Sequence, residues 1–281
     1  MVAGFQIKRA LIGLGLLYVV LYLLPLNGRP LVVPDEMRYG EIAREMIDSG
    51  DWIVPRLMGL RYFEKPALGH WLNAGSMLLF GENRFGARFA SAASVGLAAL
   101  ALFLLVRRER NKKSGLLAAF IFLTCAEVYL IGTYSALDSM VASFITLSLC
   151  CFYPALSAQG RRKAGWLLLT GLFAGGAFLV KGFLSIAIPV MVIAPFLLLQ
   201  KRWKDLWIMP WLPLIGILAI SLPWSIAVAL RESDYWNYFF FEEHIHRFFA
   251  KGEAEHSEPF WYFIPVLLLG ALPWSLIAPI P

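Results

Sequence analysis

Residues 164–200 read AGWLLLTGLFAGGAFLVKGFLSIAIPVMVIAPFLLLQ, and this stretch decides the class of protein. Lys181 is its single charged residue. A helix that crosses a hydrocarbon core about 30 Å thick needs about 17–25 apolar residues, and the runs 164–180 and 182–200 both reach that length. The stretch therefore predicts two consecutive membrane-spanning helices with one cation between them.

The composition of the whole chain agrees with this reading. Of its 281 residues, 59% are hydrophobic and 16% are charged, and the mean hydropathy is +0.66. A soluble domain has about 45–50% apolar and about 25% charged residues. Soluble, disordered and coiled-coil proteins are thereby excluded, and we predict an all-α polytopic membrane protein.

Apolar runs between charged residues give the other spans. The eighth run contains Pro273 and Trp274, and the sequence stops inside or just beyond it. The eight predicted spans are 10–26, 89–106, 114–137, 139–157, 164–180, 182–200, 206–230 and 259–281.

The segment Pro66–Phe80, PALGHWLNAGSMLLF, is uncharged but short, and it contains His70 and Asn73. If it lies flat on the membrane, the basic clusters at 8–9, 107–113, 161–163 and 201–204 all fall on one side, as the positive-inside rule requires of the cytoplasm. The net charge of +6 then reports orientation and does not indicate a nucleic-acid partner. We predict a cytoplasmic N-terminus and two long outer loops, 27–88 and 231–258.

Both outer loops have interfacial patterns. After Pro34, the first loop has a helical period that places Ile42 and Met46 on one face and charged residues on the other, which predicts an amphipathic helix on the membrane surface. The second loop contains DYWNYFFFEEHIHRFF, whose aromatic density is typical of a membrane interface.

This topology collects titratable residues from distant parts of the chain at one boundary between water and membrane. Carboxylates and a histidine supply ligands for a divalent ion such as zinc or magnesium, and Lys and Arg supply partners for phosphate. No organic cofactor is indicated. A lipid phosphate is the inferred substrate class, and the candidates are Asp35, Arg38, Glu64, Lys65, Asp138, Lys181, His244 and Arg247.

Six strings carry a family resemblance that covers nearly the whole chain. They resemble the lipid A aminoarabinose transferases, which belong with the protein O-mannosyltransferases to the membrane-embedded GT-C glycosyltransferases. The strings are PDEMRYGEIAREMIDSGDWIVPRLMGLRYFEKP (34–66), GTYSALD (132–138), LVKGFL (179–184), QKRWKDL (200–206), YFFFEEHIHRF (238–248) and PFWYFIPVLLLGALPW (259–274).

The resemblance implies a GT-C helix bundle with amphipathic juxtamembrane helices in the first periplasmic loop. It implies an enzyme of the bacterial inner membrane that moves 4-amino-4-deoxy-L-arabinose from undecaprenyl phosphate onto a lipid A phosphate at the periplasmic face, giving resistance to polymyxin and cationic peptides. Family members are roughly twice as long, so residues 1–281 would be an N-terminal transmembrane catalytic module, without the further spans and the periplasmic domain of the family.

The resemblance also implies roles for single residues, each with a plainer alternative. Asp35 and Asp138 match catalytic acidic positions, although each also suits a helix cap. Glu64 and His244 match metal ligands. Lys65, Lys181 and Arg247 match phosphate contacts, and Arg38 and Arg61 are further candidates for binding phosphate. A solvated Glu64–Lys65 pair and a snorkelling Lys181 are the alternatives. Glu36, beside Asp35, is expected to be a supporting or solvated residue.

Other functions remain open at this point. A protein O-mannosyltransferase or another polyprenyl-phosphate-sugar transferase is the alternative within the enzyme class. A transporter would need polar groups near the middle of the bilayer, and the predicted charges gather at one face instead.

Overall fold

A computed structural model describes residues 2–246, 259 and 261–277 of the chain. It is helical, with one two-stranded hairpin in which Arg56–Leu57 (β1) pairs antiparallel with Leu60–Arg61 (β2). The helices are α1 Val2–Tyr18, α2 Asp35–Ser49, α3 Leu68–Phe80, α4 Arg84–Glu109, α5 Lys112–Thr124, α6 Ala126–Gly132, α7 Asp138–Ala155, α8 Gly160–Lys181, α9 Leu184–Leu199, α10 Trp203–Ile208, α11 Trp211–Arg231, α12 Tyr235–Asn237 and α13 Phe263–Gly270. Short π or 3₁₀ turns are Val19–Leu23, Leu24–Asn27, Tyr238–His246 and Trp274–Leu276.

Five of the predicted spans appear as helical segments long and apolar enough to cross a membrane: Gln6–Asn27, Arg84–Glu109, Asp138–Ala155, Gly160–Lys181 and Trp203–Arg231. The chain is a multi-pass membrane protein. The sequence is also right about the segment after Pro66, because α3 has 13 residues and is too short to cross.

Three predicted spans differ from the structure. The run 114–137 is not one helix, because α5 and α6 meet at Cys125 with a bend of 67°. The run 182–200 becomes α9, which has 16 residues and two internal prolines. In 259–281, the described helix α13 has 8 residues, and residues 260 and 278–281 lie outside the described part.

The bend at Cys125 is held by two hydrogen bonds to a distal segment of the chain, which contains Leu272 and Trp274. The Ala126 amide donates to the Leu272 carbonyl oxygen at 2.9 Å, and Trp274 Nε1 donates to Thr124 Oγ1 at 2.9 Å. A helix start leaves backbone N–H groups without intrahelical acceptors, and in a membrane these must be satisfied within the protein. The helix break at Cys125 leaves the Ala126 amide without an intrahelical acceptor, and the Leu272 carbonyl oxygen replaces that acceptor.

Helices α8 and α11 approach so closely that only glycine fits at their contact. A Cβ at Gly171 would lie 2.0 Å from the Pro213 carbonyl oxygen, and one at Gly216 would lie 2.6 Å from that of Leu168. Small residues allow membrane helices to pack backbone against backbone. This contact fixes the position of Lys181 at the far end of α8.

The first long loop, residues 27–88, packs against the helix bundle. The predicted amphipathic face of α2 is confirmed, since Ile42 and Met46 are buried. Trp224 Nε1 in α11 donates to the Ile53 carbonyl oxygen at 3.0 Å, and Arg231 forms a bidentate pair with Asp51. These bonds hold the loop against the end of α11.

Candidate active site

The candidate site lies where the start of α2, the loop before α3, the start of α7 and the end of α8 meet. Tyr39, in the first turns of α2, marks its centre. Burial, with the charges of Asp35 and Asp138 adding to it, raises the pKa of the Tyr39 hydroxyl to about 12. Tyr39 packs against the buried cluster that contains Leu137 and Val180, which precede Asp138 and Lys181 in the chain. The start of α2 therefore lies beside the start of α7 and the end of α8, although these residues are far apart in the sequence.

Asp35 is the first residue of α2 and follows the cis peptide bond between Val33 and Pro34. The capping position belongs to Pro34, and no side chain makes a cap hydrogen bond at this helix start. The alternative that Asp35 is only a helix cap is therefore wrong. Its half-buried carboxylate is therefore available as a residue of the candidate site.

Asp138 has the corresponding position at the start of α7. Leu137 is the capping residue there, again without a side-chain cap hydrogen bond. Asp138 instead accepts a hydrogen bond from Lys181 Nζ, and both side chains remain partly exposed. The structure thus unites one predicted catalytic residue with one predicted phosphate contact, and Lys181 is not a lone snorkelling cation.

Glu64 lies among aromatic and cationic neighbours rather than in open solvent. Its Oε2 accepts from the Tyr62 hydroxyl at 3.1 Å and lies 3.9 Å from Arg38 Nη1. Burial raises the pKa of Tyr62, and the neighbouring Tyr39 and Glu64 charges add to the effect. The predicted phosphate contact Arg38 is therefore beside the predicted metal ligand Glu64.

Lys65 turns the other way, toward the second outer loop. Its Nζ donates to the Glu64 carbonyl oxygen at 3.0 Å and to the carboxylate of Glu243. The two side chains of this ion pair are only 15% and 9% exposed. A solvated pair of Glu64 and Lys65 is thus ruled out, and the pair of Lys65 and Glu243 brings the two outer loops together.

His244, next to Glu243, packs against the turn between α8 and α9. Its Nδ1 donates to the Phe239 carbonyl oxygen at 2.7 Å, and a Cβ on Gly182 would lie 2.9 Å from its Nε2. Among residues 2–246, 259 and 261–277, no three His, Cys, Asp or Glu side chains come together as a ligand set. Glu64 and His244 have suitable donor atoms, but a metal held by them would depend on water or substrate for its other ligands.

The predicted phosphate contact Arg247 lies outside the described residues. The residues before it, Tyr238–His246, form a π-helical segment. Tyr235 and Phe239 pack with Phe63 and Trp224 in a buried aromatic cluster. This cluster holds the segment with Glu243 and His244 against the first loop.

Glu36 is a supporting residue and not a solvated one, which decides between the two roles that the sequence left open. It is fully buried and accepts hydrogen bonds from Arg88 Nε and Nη2, both at 2.7 Å. Arg29 and the amides of Val32 and Ser135 also donate to it. Burial opposes its ionisation, but these donors outweigh burial and lower the pKa of Glu36 to about 2. Glu36 therefore stays a carboxylate and is neither solvated nor peripheral.

The Glu36 and Arg88 pair lies between the two predicted catalytic residues, Asp35 and Asp138. Glu36 follows Asp35 directly, and Ser135 precedes Asp138 by three residues. Arg88 also donates to the carbonyl oxygens of Leu26, Arg29 and Pro30. The sequence could have indicated that Arg88 is paired, because an arginine at the start of an apolar run needs a counter-ion.

His70 and Asn73 form a second buried polar group. Both are fully buried on α3, and their side chains have no hydrogen-bond partner within the described residues. The His70 ring contacts Tyr39 and Tyr62 at centroid distances of 5.9 and 5.8 Å. Burial, with the charge of Lys65 adding to it, lowers the pKa of His70 to about 3, so the imidazole beside the site is neutral.

Comparison with known proteins shows the family to which the chain belongs. Residues 8–239 match the profile of the dolichyl-phosphate-mannose-protein mannosyltransferase family. The chain belongs to this family. It is 46% identical over 268 residues to the undecaprenyl phosphate-alpha-4-amino-4-deoxy-L-arabinose arabinosyl transferase of Yersinia enterocolitica, covering 95% of this chain and 48% of that protein. The protein of the same name from Shewanella sediminis is 48% identical over 265 residues, covering 94% and 48%.

A solved structure has the same fold. The crystal structure of ArnT from Cupriavidus metallidurans bound to undecaprenyl phosphate matches with a TM-score of 0.88 at 30% identity, over 95% of this chain and 49% of that one. The predicted fold class, an all-α membrane bundle of the GT-C type, and the resemblance to the aminoarabinose transferases are confirmed. The chain spans about half the length of the curated relatives it matches.

Proposed function

We propose that the chain carries the catalytic site of a glycosyltransferase that moves 4-amino-4-deoxy-L-arabinose from undecaprenyl phosphate to a lipid A phosphate. The observation that carries the proposal is the pairing of Asp138 with Lys181 beside the start of α2, which holds Asp35 and Tyr39, in a chain whose relatives bear this activity in their names. Added aminoarabinose would reduce the negative charge of lipid A and so give resistance to polymyxin and cationic peptides.

The charges of the site suit a reaction between two lipid phosphates. A lipid A phosphate is already anionic, so its oxygen attacks the anomeric carbon of the sugar without needing a strong base. The bond from that carbon to the carrier phosphate breaks, and the carrier leaves with the electron pair as undecaprenyl phosphate. Lys65, Lys181, Arg38 and Arg247 would stabilise the leaving phosphate. Asp35 would orient the reaction centre or bind the ammonium of the sugar.

A divalent metal at Glu64 and His244 is part of the proposal. Bound there, zinc or magnesium would supply further positive charge for the departing phosphate. Metal analysis of the purified chain by mass spectrometry tests this. We expect up to one metal per chain, and loss of that metal in Glu64→Ala and His244→Ala but not in His246→Ala, whose ring is exposed. Equal metal content in all four proteins would reject the site.

We also propose the bacterial inner membrane as the location, with the N-terminus in the cytoplasm and the site in the periplasm. The basic ends of α4 and α8 support this, since Arg107 and Arg108 end α4 whereas Arg161 and Arg162 begin α8. Site residues are at the opposite ends of these helices. Glu82→Cys, at an exposed position between α3 and α4, should react with an impermeant thiol reagent in intact spheroplasts, whereas Lys112→Cys, at the exposed start of α5, should not. The reverse pattern would contradict the orientation.

A protein O-mannosyltransferase is the second candidate, because the family profile carries that description. The decisive experiment expresses the chain in a bacterium that lacks its own aminoarabinose transferase but makes the donor. Mass spectrometry of lipid A and of glycoproteins then separates the candidates. Lipid A that gains the mass of aminoarabinose supports our proposal, whereas unchanged lipid A beside altered glycoproteins would reject it. Transport is disfavoured because the described site charges lie at helix ends rather than at mid-membrane.

A further inference from the structure

The cations assigned to phosphate are already paired with carboxylates wherever the structure describes them. Lys65 pairs with Glu243, Lys181 with Asp138, and Arg38 lies near Glu64. The pair of Lys65 and Glu243 is the most enclosed of the three. The ammonium of Lys65 is therefore already paired with a carboxylate when an anion reaches it.

Glu243 reaches Lys65 from the other outer loop and is held there by its backbone. It belongs to the π-helical segment Tyr238–His246, a rare form of helix that is frequent at functional sites. Phe239, in the same segment, is fully buried in the aromatic cluster. The neighbouring Glu242 faces outward instead, where it lies 3.8 Å from His246.

Carboxylate and phosphate oxygens compete for the same donors. One donor direction of Lys65 is used by the Glu64 carbonyl oxygen and another by Glu243, and little of the side chain remains exposed. A phosphate that binds here must displace Glu243 or lie beside it, and two anions on one partly buried ammonium repel each other. Displacement is therefore the favoured outcome.

The aromatic cluster of the same segment contains a second hydrogen-bond donor. The hydroxyl of Tyr235 is buried without a hydrogen-bond partner in the described part of the chain. Tyr235 stacks on Phe239, which lies four residues before Glu243 in the π-helical segment. Burial raises the pKa of the Tyr235 hydroxyl, and the charge of Glu243 adds to the effect. A buried hydroxyl without a partner is costly, so an exchange of Glu243 from Lys65 to Tyr235 would recover part of the lost interaction.

We propose that Glu243 competes with the donor's phosphate for Lys65 and thereby sets donor affinity and speeds release of the carrier phosphate after transfer. This inference rests on the proposed function. It makes Glu243 a positioning residue that acts through Lys65 and does not touch the reacting sugar. Removal of its charge should tighten phosphate binding, which is the opposite of what loss of a binding residue does.

The test measures binding of undecaprenyl phosphate to the chain in lipid nanodiscs. If the pair holds Lys65 for about nine-tenths of the time, Glu243→Gln should lower the dissociation constant about tenfold. Glu242→Gln is the matched control, since it removes the same charge from the same segment without touching Lys65, and it should leave the constant within about twofold. In a Lys65→Met background, Glu243→Gln should give no gain.

The outcomes separate this inference from the function on which it rests. Binding by the unaltered chain, with equal or weaker binding by Glu243→Gln, would overturn the role of Glu243 and leave the transferase proposal standing. No binding by any of the proteins would contradict both. A gain of equal size in Glu242→Gln would show a general charge effect and also reject the role. Equal melting temperatures of the variants exclude misfolding as the cause of a loss.

Discussion

Replacement of Glu36 by Gln tests the buried ion pair beneath the site. The change keeps the shape but leaves the guanidinium of Arg88, itself fully buried, without its counter-ion. Breaking a buried pair by removal of one partner costs about 3–5 kcal/mol. The lowered pKa gives a similar figure, since a fall from 4.5 to about 2 corresponds to about 3 kcal/mol.

Thermal unfolding in detergent, followed by tryptophan fluorescence, measures the effect. A chain of this size loses about 2–4 °C of melting temperature per kcal/mol, so Glu36→Gln should melt roughly 10 °C lower. Glu41→Gln on the same helix is the control, because its pair with Arg44 is partly exposed and such pairs contribute about 1 kcal/mol or less. A melting temperature for Glu36→Gln within about 2 °C of the control would refute the reasoning.

Two further measurements sharpen this prediction. The carboxylate's contribution is fully present above the unfolded pKa of Glu, about 4.5, and is lost as the pH falls through about 2. The difference between the parent and Glu36→Gln should therefore shrink below about pH 4.5. The double variant Glu36→Gln with Arg88→Met should recover part of the loss, because the unpaired charge is gone.

Three other predictions follow from single contacts. Asp35→Asn should reduce transfer to lipid A at least about 100-fold without a change in melting temperature, whereas the exposed Asp48→Asn should transfer normally; normal transfer by Asp35→Asn would remove its assigned role. Gly171→Ala places a methyl group against the backbone of α11 and should destabilise the chain by about 1–3 kcal/mol, while Gly165→Ala, which faces open space, should not; equal melting temperatures would disprove the close contact. Trp274→Phe loses one hydrogen bond at the bend between α5 and α6 and should lower stability by about 1 kcal/mol, and an unchanged melting temperature would mean that this bond contributes nothing.

The roles given to the site residues stay predictions, but their placement separates them into two groups. Asp138 and Lys181 are at helix ends that the apolar runs already marked, and Asp35 begins the amphipathic helix that the sequence predicts after Pro34. The sequence therefore located these three residues well. Glu243 had no such signal, since its importance depends on Lys65, which lies 178 residues away. Arg88 was recognisable as a charge at the start of a span, but its partner was not.

The break in the predicted span 114–137 was likewise not predictable from the sequence. The run is uncharged apart from Glu127, so its length and composition predict a straight helix. In the structure the interrupted backbone has partners at the bend, because the Leu272 carbonyl oxygen accepts from the Ala126 amide and Trp274 Nε1 donates to the Thr124 hydroxyl. Hydropathy records the solvent of a segment and carries no information about such a partner.

The sequence by itself determined that the chain is a helical membrane protein and which charged residues lie outside its spans. These two properties follow from solvent transfer, which adds up residue by residue along the chain. The GT-C type rested instead on the resemblance of its motifs to a known family. The tertiary structure alone decided which charges are paired: Glu36 with Arg88, Lys65 with Glu243 and Asp138 with Lys181. Ion pairing depends on distance in space, and residues far apart in the chain come within a few ångströms only when the helices pack.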